Sequence, residues 1–194
     1  MKCLRILILV LAALSLTAAG PSRHDDERRL RADLTGLEEV PVVNTVASGT
    51  FRARISDDEQ SIQYRLSYSG LQGTVSQAHI HIAQLSVNGS IVIWLCQTAS
   101  PFLDPTGLAP QCPQEGTVSG TITATNVIAG GTASQQLKAG DLASVIELIR
   151  AGAAYANVHT LPNSTGGEIR GQIEVIDRDD KRHDDDRDNK DRRH

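Results

Sequence analysis

The amino-acid sequence predicts an all-β domain, either a β-sandwich or a small Greek-key barrel, with one short helix. Apolar residues recur at every second position in several short segments, which is the period of a strand with one face on a core. Residues typical of turns separate these segments at intervals of about 8–12 residues, as in sandwiches and barrels. Aromatic residues make up only 3% of the chain, so we expect a core of Ile, Val, Leu and Ala.

The first two strands are predicted at Phe51–Ile55 and Ile62–Tyr68, where apolar residues alternate with Arg, Gln and Ser. The polar segment between them, Asp57–Gln60, predicts a hairpin loop. Three further strands are predicted at Val75–Ala83, Ser90–Cys96 and Thr117–Thr125. Asn88-Gly89 is a pair that favours a tight primed turn, and it predicts such a turn before the strand that begins at Ser90.

One segment has the period of a helix instead. In Asp141–Ala151, four apolar residues stand at positions i, i+3, i+4 and i+7, namely Leu142, Val145, Ile146 and Ile149. Asp141 can cap the start of this helix, and Gly152 can end it in a left-handed conformation. Two strands are predicted after the helix, at Ala153–Thr160 and Gly167–Ile176, with residues typical of a hairpin loop between them.

We expect the folded domain to occupy residues 33–176. Residues 1–20 combine a positive start, the apolar stretch Ile6–Leu16 and small residues at the end, which is typical of a secretory signal peptide. A short membrane anchor is the alternative, although the stretch is shorter than the ~20 residues that cross a bilayer. Residues 21–32 are predicted to be a mobile charged segment. Residues 177–194 contain no apolar residue and predict a disordered charged tail, either solvated or adhering to a charged polymer or mineral.

The net charge of −4 at pH 7 restricts the possible functions. A general nucleic-acid binder needs a basic excess to displace phosphate counterions, so we expect no nucleic-acid partner. The chain has no second long apolar run, which excludes a multi-span membrane protein and predicts no span after the signal peptide is removed. The sequence also has no nucleophile elbow and no phosphate-binding glycine loop.

Two cysteines, Cys96 and Cys112, remain after the predicted cleavage, because Cys3 lies in the signal peptide. An even number of cysteines in an oxidising compartment predicts one disulfide, which would stabilise the domain by roughly 3 kcal/mol. A metal site is the competing use, but neither cysteine stands near a second ligand-type residue. We therefore expect a secreted protein, periplasmic or extracellular.

Strand alternation places the polar side chains of three segments on common faces. They are His79 and His81 in the first segment, Tyr155, Asn157 and His159 in the second, and Glu168 and Arg170 in the third. If these three strands are neighbours, three imidazoles, a carboxylate and a guanidinium converge on one polar patch.

This patch has more than one interpretation. Three neutral imidazoles can bind copper or zinc, and an arginine beside such a metal attracts anions. Alternatively the residues form a buried polar network, in which imidazoles donate to backbone carbonyls or to Glu168, and Arg170 is held by Glu168 or by loop carbonyls. A hydrolase that uses Glu168 is a third, weaker interpretation. No residue of the chain is predicted to be catalytic.

Four ordered motifs resemble the CHRD domain, a family named after chordin and common in exported bacterial proteins. The motifs are LTGLEEVP at residues 34–41, AHIH at 78–81, AGAAYANVHT at 151–160 and GEIRG at 167–171. Gly171 stands where the family often has a cysteine, which leaves Cys96 and Cys112 as the only disulfide candidates. The resemblance implies an immunoglobulin-like β-barrel that acts as a non-enzymatic binding or structural module for an extracellular protein or matrix ligand.

The CHRD family is also distantly similar to copper/zinc superoxide dismutases. This likeness implies that His79 and His81 stand where the dismutase has a copper-binding H-x-H pair, and His159 where it has its late copper ligand. Arg170 falls near the dismutase arginine that guides anions. The histidine that bridges the two metals and the zinc ligands have no counterpart in this chain. The alternative function implied is therefore a copper-binding protein, redox-active or not, with copper as its cofactor.

Overall fold

The computed structural model of the protein describes residues 28–98, 103–130, 135–162 and 164–176. The predicted signal peptide, the first part of the predicted charged segment and the predicted tail lie outside the described residues. Within them, the chain forms one α-helix, α1 (Leu142–Arg150), and nine strands. The strands are β1 (Arg29–Thr35), β2 (Ser48–Ile55), β3 (Ile62–Ser69), β4 (Thr74–Ile82), β5 (Ser90–Gln97), β6 (Gly116–Ile122), β7 (Ala154–Leu161), β8 (Ser164–Gln172) and β9 (Glu174–Val175).

The strands form one antiparallel sheet in the order β5-β4-β7-β8-β1-β2-β3-β6, and the short β9 pairs with β1. The sheet curls into a nearly closed barrel whose edge strands are β5 and β6. Near this opening, the Tyr64 hydroxyl of β3 donates to the Leu95 carbonyl of β5 at 2.6 Å. The β5–β6 and β6–β7 connections cross between distant strands of the sheet, as in a Greek key. The predicted all-β fold with one short helix is confirmed.

The inside of the barrel is filled by aliphatic side chains, as the scarcity of aromatic residues predicts. Fully buried members of this core include Leu30, Leu34, Phe51, Ile55, Ile62, Leu66, Ile80, Ile93, Leu95, Val158 and Ile169. Burying each such side chain stabilises the fold by about 1.5–3 kcal/mol relative to leaving it in water. Along β3 buried and more accessible residues alternate from end to end, so the period of two identified this strand and its inward face.

Helix α1 packs its four periodic apolar residues into the same core. The Asp141 carboxylate caps the helix by accepting a hydrogen bond from the Ser144 amide at 3.1 Å. Gly152 follows the helix with a φ of +69°, a left-handed conformation that glycine adopts without strain. The helix and both of its predicted end signals are confirmed.

Two local predictions are wrong. Strand β1 begins at Arg29, so residues 29–32 belong to the sheet rather than to a mobile segment, and Leu30 and Ala32 are buried in the core. The charged residues that alternate with these two apolar ones, Arg29, Arg31 and Asp33, concealed the strand. Asn88-Gly89 does not form the tight turn before β5; instead the Val87 amide donates to the Gln84 carbonyl, and Ser86 takes the positive φ of +59°. The Asn88 side chain is used for tertiary contacts described below.

The predicted disulfide joins Cys96 and Cys112, whose Cα atoms are 4.9 Å apart. It ties β5 to the long connection that leads to β6, and both cysteines are buried in the core cluster. No helix in the described part of the chain is long and apolar enough to cross a membrane.

Candidate functional site

Strands β4, β7 and β8 are consecutive in the sheet, and their register brings the predicted polar residues together. His79 lies opposite Asn157, and His81 lies opposite Tyr155, in the β4–β7 pair. Asn157 in turn lies opposite Arg170 in the β7–β8 pair. Because the neighbours of these residues along each strand point into the apolar core, the polar side chains share the opposite face of the sheet.

The three histidines form a compact cluster on this face. The ring centroids of His79 and His159 are 4.9 Å apart, those of His79 and His81 are 5.4 Å apart, and those of His81 and His159 are 6.2 Å apart. One nitrogen of each ring lies within 4.8 Å of the corresponding nitrogens of the other two. The structure thus brings together the three imidazoles that the strand pattern placed on common faces.

Two loops seal the cluster from solvent. The segment between β1 and β2 supplies Glu39 and Val40, and the β4–β5 connection supplies Val87, Asn88 and Gly89. The loops are joined to each other, because the Asn88 side-chain amide donates to the Val40 carbonyl at 2.9 Å. As a result His79 is 0% exposed, and its two partner histidines are 6–7% exposed.

The histidines differ in their hydrogen bonds. His81 Nδ1 lies 2.9 Å from the Gly89 carbonyl, and His159 Nε2 lies 3.1 Å from the Asn157 side-chain oxygen. Among the described residues, neither ring nitrogen of His79 has a hydrogen-bond partner, and His81 has none at Nε2. A buried polar group without a partner costs about 1–3 kcal/mol, so His79 is an unusual residue for a purely structural core.

The sealed environment keeps the imidazoles of His79 and His81 neutral. Burial lowers the pKa of His79 well below its usual value of 6.5, and its neighbours His159 and His81 lower it further. Burial also lowers the pKa of His81 to about 4, although the hydrogen bond with Gly89 acts in the opposite direction. Both rings are therefore uncharged at pH 7, which is the form that metals bind.

Arg170 occupies the other end of the cluster and is 1% exposed. Its guanidinium lies over the ring of Tyr155, 3.4 Å from the centroid, and the same ring stacks on His81. Arg170 also donates to the Val87 carbonyl at 2.9 Å and to the Asn88 side-chain oxygen at 3.3 Å. Of the two partners considered for Arg170 in the sequence analysis, Glu168 or loop carbonyls, the structure shows a loop carbonyl.

Glu168 forms its hydrogen bonds outside the histidine cluster. Its carboxylate accepts hydrogen bonds from the Thr45 hydroxyl, the Gln72 amide and the Thr160 hydroxyl. Burial raises the pKa of Glu168, but these hydrogen bonds outweigh burial and bring the pKa below its usual value. None of these bonds in the described structure joins it to the histidines or to Arg170. Glu168 therefore serves to join loops to the sheet.

The carboxyl group that accompanies Arg170 belongs to Glu39. Burial raises the pKa of Glu39 from 4.5 to about 7, while the charge of Arg170 lowers it. Within the described part of the chain, Glu39 Oε1 has no hydrogen-bond partner, and it occupies the space where a side chain at Gly167 would begin. Gly167 has a φ of +120°, so both its conformation and this close contact require glycine.

Sequence reasoning did not place Glu39, Asn88 or Trp94 at this site. Trp94 lies opposite His79 in the β4–β5 pair, and the two rings pack edge to face with centroids 4.3 Å apart. The sequence signal that could have identified Trp94 is its alternation with core residues along β5. Glu39 and Asn88 lie in loops, where no periodic pattern indicates which way a side chain points.

The motifs that build this cluster also identify its family. The model of the CHRD domain matches residues 30–173, which include every strand of the barrel from β1 to β8 apart from the first residue of β1. The protein belongs to the CHRD domain family. Comparison with curated proteins gives no match, and comparison with solved structures gives none.

In this CHRD domain the motif residues and the sealed cluster largely coincide. Glu39 comes from the first motif, His79 and His81 from the second, His159 from the third and Arg170 from the fourth. The family pattern thus describes one layer of side chains between the sheet and its two covering loops. Whether this layer is only a structural network, or also holds a metal, depends on the chemistry of its donor atoms.

The donor set fits a metal in type and only approximately in spacing. Imidazole nitrogens suit copper and zinc, and ligands 2.0–2.1 Å from a tetrahedral ion lie about 3.4 Å apart. The nitrogens of the cluster, which lie within 4.8 Å of one another, would have to move closer by up to about 1.4 Å to share one ion. Neutral, unpartnered nitrogens on His79 and His81 permit this movement, because few hydrogen bonds would break.

Proposed function

We propose that this protein is an exported CHRD domain that acts outside the cytoplasm as a non-enzymatic binding or structural module. The CHRD domain and the Cys96–Cys112 disulfide support export, because disulfides persist in oxidising compartments. The disulfide fastens the long irregular connection that follows β5 back onto that strand. The domain therefore gains stability from a bond that needs that environment.

The observation that carries the non-enzymatic part is the sealing of the polar cluster. A catalytic group must touch its substrate, but His79, Asn157 and Arg170 are each at most 1% exposed. The loops that cover them are bonded to each other and to Arg170, so the cover is part of the folded structure. Among described residues, the open concave surfaces include grooves on the outer face of β1, β2 and β3. Binding through the exterior is the use that this geometry supports best.

Export can be tested by expressing the full chain in a bacterial host with a secretory pathway. We expect processed protein in the periplasm or medium, with Cys96 and Cys112 unreactive to a thiol-specific reagent until reduced. The matched control is the Cys96→Ser/Cys112→Ser variant, which we expect to reach the same compartment in lower yield. Full-length protein retained in the cytoplasm with both thiols reactive would overturn the proposed function.

Copper binding is a second candidate function, and it would use the three-histidine cluster. His79 presents two buried ring nitrogens that have no hydrogen-bond partner among the described residues, and two further histidines lie directly beside it. An ion bound by His79, His81 and His159 would give these nitrogens a partner. When bound, copper would supply redox chemistry; the chain itself would hold the ion, and Trp94 and the two loops would exclude water.

The charge of Arg170 acts against this candidate. It lies close enough to lower the pKa of His81, and it would repel a cation in the same way. Glu39 is the acidic group beside this arginine, but burial favours its neutral form up to a pH of about 7. A metal would therefore bind better once Glu39 is ionised.

Metal binding can be tested by dialysing the processed protein against micromolar Cu²⁺ or Zn²⁺ and measuring bound metal. The second candidate predicts one ion per chain in the wild type, and none at this site in the His81→Ala variant. The control is His183→Ala, in the charged tail, which should bind as much as the wild type. Equal binding by wild type and His81→Ala, or binding lost only with His183→Ala, would exclude the copper site.

A further inference from the structure

The two loops that cover the histidine cluster are held together by an asparagine that precedes a glycine. These covering loops are residues 36–47, between β1 and β2, and residues 83–89, between β4 and β5. The side-chain amide of Asn88, in the second loop, donates to the Val40 carbonyl of the first loop at 2.9 Å. Among the described residues, no other hydrogen bond joins the two loops directly, so their connection depends on this amide.

The pair Asn88-Gly89 is also chemically reactive. It is the only Asn-Gly sequence in the chain. Because glycine has no Cβ, its backbone nitrogen can approach the side chain of the asparagine before it. The other asparagines that the structure describes are each followed by Thr or Val, whose β-branched side chains crowd this approach. They are Asn44, Asn126 and Asn157.

The fold requires both members of this pair. Asn88 donates to Val40 and also accepts a hydrogen bond from Arg170 at 3.3 Å, so its side chain joins three parts of the chain. A side chain at position 89 would collide with the Ile82 carbonyl, so that position requires glycine. The contacts that close the cover therefore keep a reactive dipeptide in an exposed loop, where water reaches the Asn88 side chain.

We propose that Asn88 deamidates spontaneously in the folded protein, assisted by the groups around it, and that the product releases one covering loop from the other. The Gly89 nitrogen loses its proton and attacks the side-chain carbonyl carbon of Asn88, and the side-chain nitrogen leaves as ammonia. Water then opens the cyclic imide at the side-chain carbonyl, which gives aspartate, or at the main-chain carbonyl, which gives isoaspartate. The only co-reactant is water, and one molecule of water replaces one of ammonia.

The structure places polar groups at the atoms that react. Arg170 donates to Asn88 Oδ1, the oxygen on which negative charge develops during the attack, and a guanidinium stabilises that charge. The Tyr155 hydroxyl oxygen accepts the hydrogen bond of the Gly89 amide at 3.2 Å, so a proton acceptor lies where the proton leaves. These contacts favour both the attack and the loss of the proton.

A carboxylate at position 88 would change the contacts of the covering loops. It carries no N–H, so it cannot donate to the Val40 carbonyl, and the two oxygens would repel each other. Its bond with Arg170 would become charge-assisted and stronger. Residues 83–89 would therefore stay attached to Arg170, whereas residues 36–47 would lose their bond to them. The cover would open on the side of the first loop.

The reaction is tested by incubating the purified, folded protein in heavy-oxygen water at mildly alkaline pH and mapping its peptides by mass spectrometry. We expect the peptide that holds Asn88 to gain the heavy oxygen several times faster than the peptides that hold Asn44 and Asn126. An Asn88 that converts no faster than these two asparagines would overturn the proposal.

The assistance by neighbouring groups is tested with two tyrosine variants. Tyr155→Phe removes the hydroxyl beside Gly89 and should slow the conversion of Asn88 several-fold. Tyr68→Phe is the matched control, because it removes a hydroxyl bonded to the Pro113 carbonyl instead, and it should react at the rate of the wild type. An unchanged rate in Tyr155→Phe, or equal slowing in both variants, would overturn the assisted reaction.

The consequence is tested by hydrogen exchange of residues 36–47 in Asn88→Asp. Because a lost hydrogen bond lowers the free energy of local opening, these amides should exchange about tenfold faster than in the wild type. The control is Asn44→Asp, which makes the same chemical change at an exposed position of the first loop and should exchange like the wild type. Unchanged exchange in Asn88→Asp, or equal acceleration in the control, would overturn the proposal.

A variant that fails to fold does not prevent this test. Wild-type protein that has deamidated after folding can be separated by ion exchange, since it carries one more negative charge, and measured in the same way. This inference goes beyond the proposed function, because it requires neither export nor a bound metal.

Discussion

The two halves of the barrel use the same alternating pattern for opposite purposes. In β2 and β3 the polar positions face water, and the arginines among them remain at the surface. In β4 every residue after the first is buried, and in β7 every residue before the last is buried, although polar residues alternate with apolar ones there too. The difference comes from loops, because segments around Glu39 and Asn88 cover the second half and leave the first half open. The polar face of a strand is therefore exposed only where no loop covers it.

The largest difference between faces should appear when a charge enters the core beneath the sealed cluster. Ile80→Asp places a carboxylate at a position that is 0% exposed, so we expect a loss of more than about 4 kcal/mol and a largely unfolded protein. Gln63→Asp, on the open face of β3, should change stability by no more than about 0.5 kcal/mol. Urea unfolding followed by circular dichroism checks both. A cooperative Ile80→Asp transition near the wild-type midpoint would contradict this account of the core.

Replacing one arginine by methionine in each half compares a buried arginine with an exposed one. Arg170→Met removes the contact with Tyr155 and leaves the Val87 carbonyl and Glu39 without their partner, so we expect a loss of about 3 kcal/mol. Arg65→Met should cost less than about 0.5 kcal/mol, because water and salt already screen that guanidinium. Chemical denaturation of both variants measures the contrast. Equal effects at the two positions would show that the loops do not seal the cluster.

The pH dependence of stability should distinguish the buried carboxyl from its exposed neighbour. The folded-state pKa of Glu39 is raised to about 7 from 4.5, so the folded protein holds a proton that the unfolded chain releases earlier. The contribution of Glu39 to stability therefore falls as the pH rises from 4.5 to 7. We expect Glu39→Gln to match the wild type below pH 4.5 and to become more stable than it by about 2 kcal/mol above pH 7.

Glu38→Gln is the control for this experiment, because the Glu38 side chain is exposed one residue away. We expect this variant to stay within about 0.5 kcal/mol of the wild type, as surface substitutions usually do. Unfolding free energies at half-unit steps between pH 4 and pH 8 give both curves. A Glu39→Gln difference that does not grow with pH would mean that Glu39 is ionised and fully paired in the folded protein.

The smallest effect is expected at the histidine without hydrogen-bond partners. In metal-free buffer, His79→Leu replaces an unpaired buried imidazole by an apolar side chain of similar size, so stability should stay the same or rise by up to about 1 kcal/mol. Thermal unfolding in the presence of a chelator measures it. A loss of more than about 2 kcal/mol would reveal a buried partner of His79, such as an ordered water molecule, and would make the cluster an ordinary polar network.

Much of the fold was readable from local patterns. The helix at Leu142–Arg150, its Asp141 cap and the strands with clean alternation follow from periodicities that the backbone imposes on side-chain direction. Strand β1 was missed because its arginines lie on an open face and resemble a solvated segment. The Asn88-Gly89 pair was misinterpreted because turn preference is weak beside the tertiary bonds that Asn88 makes with Val40 and Arg170.

The candidate site shows the same division. Alternation alone placed His79 and His81 on one face of a strand and Tyr155, Asn157 and His159 on one face of another. It could not show that β4 pairs with β7 in a register that joins these faces, because strand pairing depends on the whole sheet. It also could not show that the acidic neighbour of Arg170 is Glu39 rather than Glu168, because Glu39 lies in a loop, where no periodic pattern applies.

The sequence by itself determined which side chains share a face, where the one helix lies and that two cysteines were available to pair, because these depend on residues close together in the chain or on composition. Only the tertiary structure decided which polar face is covered by loops and which stays open, and so why Arg170 is buried whereas Arg65 is exposed. Covering a face requires contacts between segments far apart in the chain, and no local pattern encodes them.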